Sequence, residues 1–337
     1  MRILVTGGAG FIGSQCSLQI LKRGHNLSVV DNLSNGSLAA LMRVKKLARR
    51  ELDFYNCDIR GEKKLSMIFS KVQPDVVIHF AGLKSVSDSI LMPKLYSEVN
   101  VGGTSALLAA MEKVDCKKIV FSSSATVYGF PQYLPCDELH PVCPLNPYGD
   151  TKLLAEKLLK SWSVIDAERR ALCLRYFNPV GADQSGKLGE APTSNPNNLM
   201  PLVAQVAIGR KENLRVFGCD YDTPDGSGVR DYIHVIDLAD AHVIALEKIN
   251  YLRGFEVINI GTGKGTSVLQ LIREFERQSK RKIKYEIASR RSGDAPEVWA
   301  DVSLAQEKLG FKAKFGLSTM CFDTWRWQSE HPDGYSS

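Results

Sequence analysis

The 337-residue sequence predicts an α/β protein, a doubly wound parallel sheet with a smaller C-terminal α/β lobe. Three observations carry that prediction. Short apolar runs recur at 2–6, 27–31, 52–55, 75–80, 117–122 and 171–176, each of strand length. Helical patterns at about 61–71, 94–112 and 148–165 lie between the later runs, and strands separated by helices of this size build a parallel sheet. Beyond about residue 178, Gly, Pro and Asn gather at 178–201 and 218–228, which reads as long loops, with helices at about 235–249, 266–279 and 302–309. The expected division is 1–177 and 178–337, with some later segments returning to the first domain.

The first thirty residues hold the most specific local signal. Arg2-Ile3-Leu4-Val5-Thr6 is a buried strand, and Gly7, Gly10 and Gly13 follow in a Gly-x-x-Gly-x-x-Gly turn. A helix comes next, with Ile12, Cys16, Ile20 and Leu21 on one face and Gly24 at its end. Leu27–Asp31 is the second strand and closes on an acid. Each part has a physical task. The first glycines permit a tight turn and let backbone approach a pyrophosphate. The helix N-terminus offers that anion unpaired N–H groups and a partial positive charge, and the last glycine lets helix and strand pack closely. A carboxylate at Asp31 can accept from ribose hydroxyls and would repel a 2′-phosphate. Glycines alone mark any strand-to-helix turn. In this order and spacing they imply a Rossmann-type, dinucleotide-binding domain, and Asp31 argues for NAD.

Composition narrows the class. The chain is 44% hydrophobic and 24% charged, with 43 Lys plus Arg against 37 Asp plus Glu, a net charge of +6. No apolar stretch nears the roughly 18 residues of a membrane span, and the start lacks the apolar core of a secretory signal. A cytoplasmic protein is expected, with no membrane partner. Arg43, Lys45, Lys46, Arg49 and Arg50 lie on a helix pattern and read as a solvated face, so no nucleic-acid partner is expected. The small positive excess equally suits a small, doubly anionic substrate. Eight Cys include no Cys-x-x-Cys pair, and six His form no ligand cluster, so reduced thiols and no metal are expected.

Tyr148 and Lys152 stand at i and i+4 just after Pro147, which places both on one helix face. A phenol with a pKa near 10 is a poor base at neutral pH. An adjacent ammonium, and the positive ring of oxidised NAD, would stabilise the phenolate. The spacing occurs once among eleven Tyr and says little alone. It follows a strand that ends in Ser122-Ser123-Ser124, where a hydroxyl could bind a substrate oxygen; a capped loop is the plain alternative.

The glycine start, Ser124 and Tyr148-x-x-x-Lys152 resemble the extended short-chain dehydrogenase/reductases. More closely, Ile78–Lys84, Phe121–Gly129, Arg175–Ala182, Asn197–Pro201, Gly228–Val235 and the tail around Trp325–Gln328 resemble the UDP-glucose 4-epimerase family, with matches over essentially the whole chain. The resemblance implies NAD contacts at Phe11, Ile12, Asp31, Asn32, Asp58, Ile59, Phe80, Ala81, Gly82, Lys84, Lys152 and Phe177. It implies that Ser124 and Tyr148 bracket the sugar 4-hydroxyl, with Tyr148 as base. Lys84, Asn178, Asn198, Leu199, Phe217, Arg230, Arg291, Asp294 and Val298 are then the UDP-sugar contacts. Arg230 and Arg291 suit a diphosphate, though either alone reads as a surface arginine. The implied activity is isomerisation of UDP-galactose and UDP-glucose through a transient 4-keto sugar, by a homodimer that pairs through helices near 94–112 and 148–165. Leu95, Val99, Leu107, Leu108 and Met111 are compatible with such pairing or with the core.

Two positions depart from the family pattern. Val99 stands where a cofactor-contacting Asn is common, and Val298 where some members carry Tyr. The smaller side chain implies room for an N-acetyl group on the sugar. Two rivals stay open. A 4,6-dehydratase would place an Asp-Glu pair after Ser124, where this chain has Ala125-Thr126. A non-catalytic NAD-sensing protein would typically lack the Tyr-Lys pair that is present here.

Overall fold

The computed structural model describes residues 1–192, 198–291 and 293–336. Asn197 of the 197–201 motif therefore lies outside the described residues. The chain forms two compact units. The first takes Met1–Val127, Val142–Tyr176 and Ala239–Ile258; the second takes Tyr128–Pro141, Phe177–Leu238 and Asn259 onward.

The elements run β1 (Arg2–Thr6), α1 (Phe11–Lys22), β2 (Asn26–Asp31), α2 (Leu38–Ala48), β3 (Asp53–Asn56), α3 (Glu62–Val72) and β4 (Val76–His79). Next come α4 (Val86–Leu91), α5 (Pro93–Tyr96), α6 (Gly103–Glu112), β5 (Lys118–Ser124), α7 (Pro147–Ser163) and β6 (Arg170–Tyr176). After them come β7 (Asn178–Val180), α8 (Leu199–Ala207), β8 (Leu214–Phe217), β9 (Val229–His234), α9 (Val235–Lys248) and β10 (Gly254–Ile260). The chain ends with β11 (Gly265–Ser267), α10 (Val268–Ser279), β12 (Tyr285–Ala288), β13 (Glu297–Val298) and α11 (Leu317–Glu330).

Seven strands form one sheet in the order β3-β2-β1-β4-β5-β6-β10. The pairings from β3 through β6 are all parallel. Chain order reverses direction between β1 and β4, the switch point at which ligands of such sheets lie beyond the strand carboxyl ends. The strands are near-continuous apolar runs because helices cover both faces. Leu4, Val30, Val77, Ile119 and Cys173 pack with Leu65, Ile68 and Phe69 of α3 and with Leu107, Leu108 and Met111 of α6. Each such side chain contributes about 1.5–3 kcal/mol on burial. Leu107, Leu108 and Met111 are thus core residues and do not offer a face for pairing. The exposed apolar positions of this region are Ile90, Leu91, Met92, Leu95 and Leu154.

The helix expected over 94–112 is present and unbroken, but its middle, Ser97–Gly102, winds as a wider π-type turn between α5 and α6 and carries the buried Asn100. The stretch 178–201, read as loop, holds β7 and the start of α8, whose Pro201 falls in the first turn where proline does not break a helix. The helix expected at 302–309 is present from residue 303 and is wound as a π-type helix over Ala305–Leu309.

In the second unit, β9 is the hub. It pairs antiparallel with β11 and parallel with β7 and β13. Strands β8 and β12 form a separate parallel pair. Val203, Ala204, Val216, Leu271, Ile272 and Phe275 pack beside Met320 and Cys321 of α11 as its core. All eight cysteines are free thiols, six of them buried. Among the described residues no helix is long and apolar enough to cross a membrane, and no group of three potential metal ligands occurs.

Candidate active site

The glycine turn after β1 is built for close backbone approach. Gly7 has φ of +71°, and a side chain there would meet Ala81 N at 2.6 Å; one at Gly13 would meet Gly7 O at 2.2 Å. Helix α1 begins at Gly10 with no side-chain cap and no acid in its first turn, so its N–H groups and dipole are available to an anion there. Phe11 and Ile12 open this helix, half-buried. Asp31 sits at the tip of β2, where its carboxylate accepts from Ala9 N at 3.0 Å and Leu33 N at 2.8 Å. Burial nonetheless raises its pKa, with those bonds opposing.

Nearby loops of the first unit bring the other expected cofactor residues into order. Asn32 donates to Asp58 at 3.1 Å, and the Arg60 guanidinium holds the Asp58 carboxyl down to about 2. Ile59 is buried against Gly103. Phe80 lies on the His242 ring at 4.7 Å, and Ala81 N donates to Thr6 at 3.4 Å. Gly82 abuts Asn100, and Lys84 is exposed. Val99, in the wide turn, is half-buried and offers no polar side chain.

Ser124 ends β5, and its hydroxyl accepts from Thr126 N at 3.2 Å and Thr126 Oγ1 at 3.0 Å. Asn146 caps α7 by accepting from Gly149 N at 2.9 Å, and Pro147 fits the first helical position. Two turns of α7 then deliver Tyr148 and Lys152 to one buried face. Burial pushes the Tyr148 phenol up to about 12, against a hydrogen bond from Ser124 that lowers it. Burial pushes the Lys152 ammonium down to about 8, with Glu156 opposing. Lys152 Nζ donates to Ser122 O at 2.8 Å and lies 5.8 Å from the Tyr148 ring centre. The arrangement pairs a buried phenol with a hydroxyl on one side and a cation on the other. It can take up and return a proton at an oxygen placed beside Ser124 and Tyr148.

A supporting layer that sequence reasoning missed surrounds these three. Ser122 Oγ bonds the Tyr176 phenol, and Ser123 donates to Glu156 at 2.5 Å. Glu156 and Arg175 form a buried two-pronged ion pair. The i+8 spacing of Glu156 from Tyr148 was the one signal that could have found it. His79 is held between Thr6 and Thr104 at 2.7 and 3.0 Å.

The second unit gathers a different set. Arg230 of β9 lies 3.8 Å from Asp294 and donates to Val229 O at 2.8 Å. Val298 pairs directly with Arg230 across β13 and β9. Arg291 lies over the Phe217 ring at 4.4 Å. Asn178 is exposed at the start of β7, Asn198 precedes α8, and Leu199 packs partly on the core. Phe177 is buried, its N–H donating to Ile260 O at 3.3 Å. Asp231, wholly buried, ties the hub together: it accepts from Thr262 N, Gly263 N and Ala300 N at 2.9, 3.0 and 3.3 Å.

A family model described as GDP-mannose 4,6 dehydratase matches residues 4–324. UDP-glucose 4-epimerase 2 of Arabidopsis thaliana is 52% identical over 99% of this chain and 97% of its own. The UDP-glucose 4-epimerase of Bacillus subtilis is 50% identical over 100% of this chain and 99% of its own. The crystal structure of UDP-glucose 4-epimerase from Bifidobacterium longum in complex with NAD+ and UDP has a TM-score of 0.96 and 45% identity, covering 99% of this chain and 100% of that one. The chain belongs to the UDP-glucose 4-epimerase family. Its match to a dehydratase model reflects the scaffold: here Ser124 leads into the short turn Ala125–Val127, which carries no carboxylate. Ser124, Tyr148 and Lys152 all lie in the first unit.

Proposed function

We propose that this protein is an NAD-dependent UDP-hexose 4-epimerase, interconverting UDP-galactose and UDP-glucose. The observation that carries the reading is the buried Tyr148 phenol near the Ser124 hydroxyl, with Lys152 on the same helix face. The residues at the β1–α1 turn fit a dinucleotide. Gly7 and Gly13 leave no room for side chains, and the uncapped start of α1 would receive the pyrophosphate. Asp31 would accept from ribose, with Asn32, Asp58, Phe80, Ala81 and Lys84 around it. NAD supplies, when bound, reversible hydride exchange with carbon 4 of the sugar.

Tyr148 takes the proton of the 4-hydroxyl and returns it, and Ser124 bonds the same oxygen and keeps it in line. Lys152 supports the phenolate by its charge. Asn178, Asn198, Leu199, Phe217, Arg230, Arg291 and Asp294 hold the UDP part, the two arginines by charge-assisted bonds. Firm hold on UDP with loose hold on the hexose lets the keto sugar present either face, so both 4-epimers form.

Val298, smaller than tyrosine, supports acceptance of N-acetylated UDP-hexosamines as well. The exposed Leu91, Leu95 and Leu154 support a homodimer that uses the α5 and α7 region. Eight reduced thiols support a cytoplasmic location. The test is to incubate the protein without added cofactor with UDP-galactose and, separately, UDP-N-acetylgalactosamine, reading sugar signals by NMR. The gluco isomer in both tubes is expected. Conversion of UDP-galactose alone removes the wider specificity, and conversion in neither, even with NAD added, overturns the reading.

A further inference from the structure

We propose that the buried Glu156–Arg175 pair is a pair of positioning residues for the reaction, fixing the net charge behind Tyr148 and Lys152. The proposal rests on the role given to Tyr148 above. Glu156 extends the Tyr148–Lys152 face of α7 by one more turn. Its side chain is 4% exposed and that of Arg175 6%. Arg175 Nε donates to Oε1 at 2.9 Å and Nη2 to Oε2 at 2.7 Å, and Ser123 adds a third bond to Oε1 at 2.5 Å. The adjoining Ser122 accepts Lys152 at its carbonyl and bonds Tyr176 through its hydroxyl. The tip of β5, which carries Ser124, is thereby fastened to both α7 and β6.

Stability does not account for the pair. Buried ion pairs do no better than apolar side chains of similar volume, whereas losing one partner is strongly destabilising. What the pair supplies is charge balance. Glu156 alone would place an anion beside Lys152, and Arg175 alone a second cation. Together they are neutral, and Lys152 remains the net charge next to Tyr148. The other titratable groups packed here are neutral near pH 7. Burial holds His79 of β4 down to about 3, and raises Tyr96 of α5 and both Cys173 and Tyr176 of β6.

Charge-changing variants separate this role from a structural one, because their signs differ. The readout is the acid limb of kcat/KM for UDP-galactose conversion, with circular dichroism to confirm folding. Glu156→Gln leaves an added cation, favours the phenolate and moves the limb to lower pH. Arg175→Gln leaves an added anion and moves it to higher pH. Each shift is expected at about one pH unit, a tenfold change in rate at fixed pH on that limb. The double variant restores neutrality and Arg175→Lys retains it, so both bring the limb back toward that of the natural protein. Shifts of one sign in both single variants, or a lowered kcat with an unmoved limb, overturn the proposal. Failure of every charge-changing variant to fold does so too, since the pair is then a structural clamp. If the natural protein converts no UDP-galactose, the reaction assigned to Tyr148 fails instead. Ultraviolet titration of the Tyr148 phenol against Tyr148→Phe then decides the charge question alone: opposite shifts uphold it and unmoved titrations end it.

Discussion

The Asn100 side chain hydrogen-bonds both polar groups of the Leu83 backbone, accepting from its N–H at 2.7 Å and donating to its carbonyl at 3.0 Å. The same amide donates to Thr151 at 2.9 Å, and Thr151 donates to Tyr148 O at 2.8 Å. One buried side chain therefore joins the 81–84 loop to the helix bearing Tyr148.

Replacing Asn100 with Ala removes both bonds from the part-buried Leu83 backbone, at a cost of roughly 0.5–1.5 kcal/mol for each. Chemical denaturation should register that loss, and NAD content after gel filtration should fall as the 81–84 loop loosens. Full stability with full NAD content would contradict this account.

Tyr148→Phe removes the proposed proton acceptor and little volume. Turnover should drop by about 10²–10⁴-fold, with an unchanged melting temperature and retained NAD. A melting shift of the same relative size in Ser124→Ala and Tyr148→Phe would instead point to packing.

Lys152 gives the alkaline side of the pH profile. Its folded pKa of about 8 lies below the ordinary 10.5. Turnover should decline as pH rises through about 8, where the supporting charge is lost. Stability moves the other way, because between about 8 and 10.5 the unfolded chain binds a proton that the folded chain does not. Unfolding of Lys152→Met should lack that rise with pH.

His79 contributes to stability on the acid side. Burial lowers it from 6.5 to about 3, so the folded form stays neutral while the unfolded form protonates. Its contribution is complete above pH 6.5 and fades between there and about 3, a loss of order a few kcal/mol. Acid titration of His79→Gln, followed by circular dichroism, should show a shallower decline than the natural protein.

Val298→Tyr should abolish conversion of UDP-N-acetylgalactosamine while UDP-galactose conversion stays within about threefold, as a steric gate of a few atoms discriminates by tens to hundreds. Equal loss of both would remove Val298 from specificity.

Local signals made the first half of the fold legible. The β1–α1–β2 unit matches its expected bounds closely, because glycine chemistry and helical periodicity are both short-range. Tyr148 and Lys152 were legible for the same reason. The wide turn at Ser97–Gly102 was not, since its residues fit an ordinary helix and only the buried bonds of Asn100 favour the bulge. Strands β8 and β12 were missed because four-residue pairs with exposed positions carry little pattern. Arg175 was hidden in an apolar strand run: its partner Glu156 lies on the helix α7 that packs on β5 and β6, and strand register, Ser123 opposite Arg175, presents both side chains to it.

Strand β10 completes the first sheet beside β6, yet the long segment Phe177–Leu238 of the second unit lies between the two in the chain. During synthesis the sheet thus waits with β6 as an open edge until residue 258 has left the ribosome. An open edge of paired-ready backbone is a template for aggregation. Newly made chain is consequently most vulnerable over this interval, and a fragment ending at residue 177 should be a poor soluble module however complete its glycine turn and Tyr148 helix.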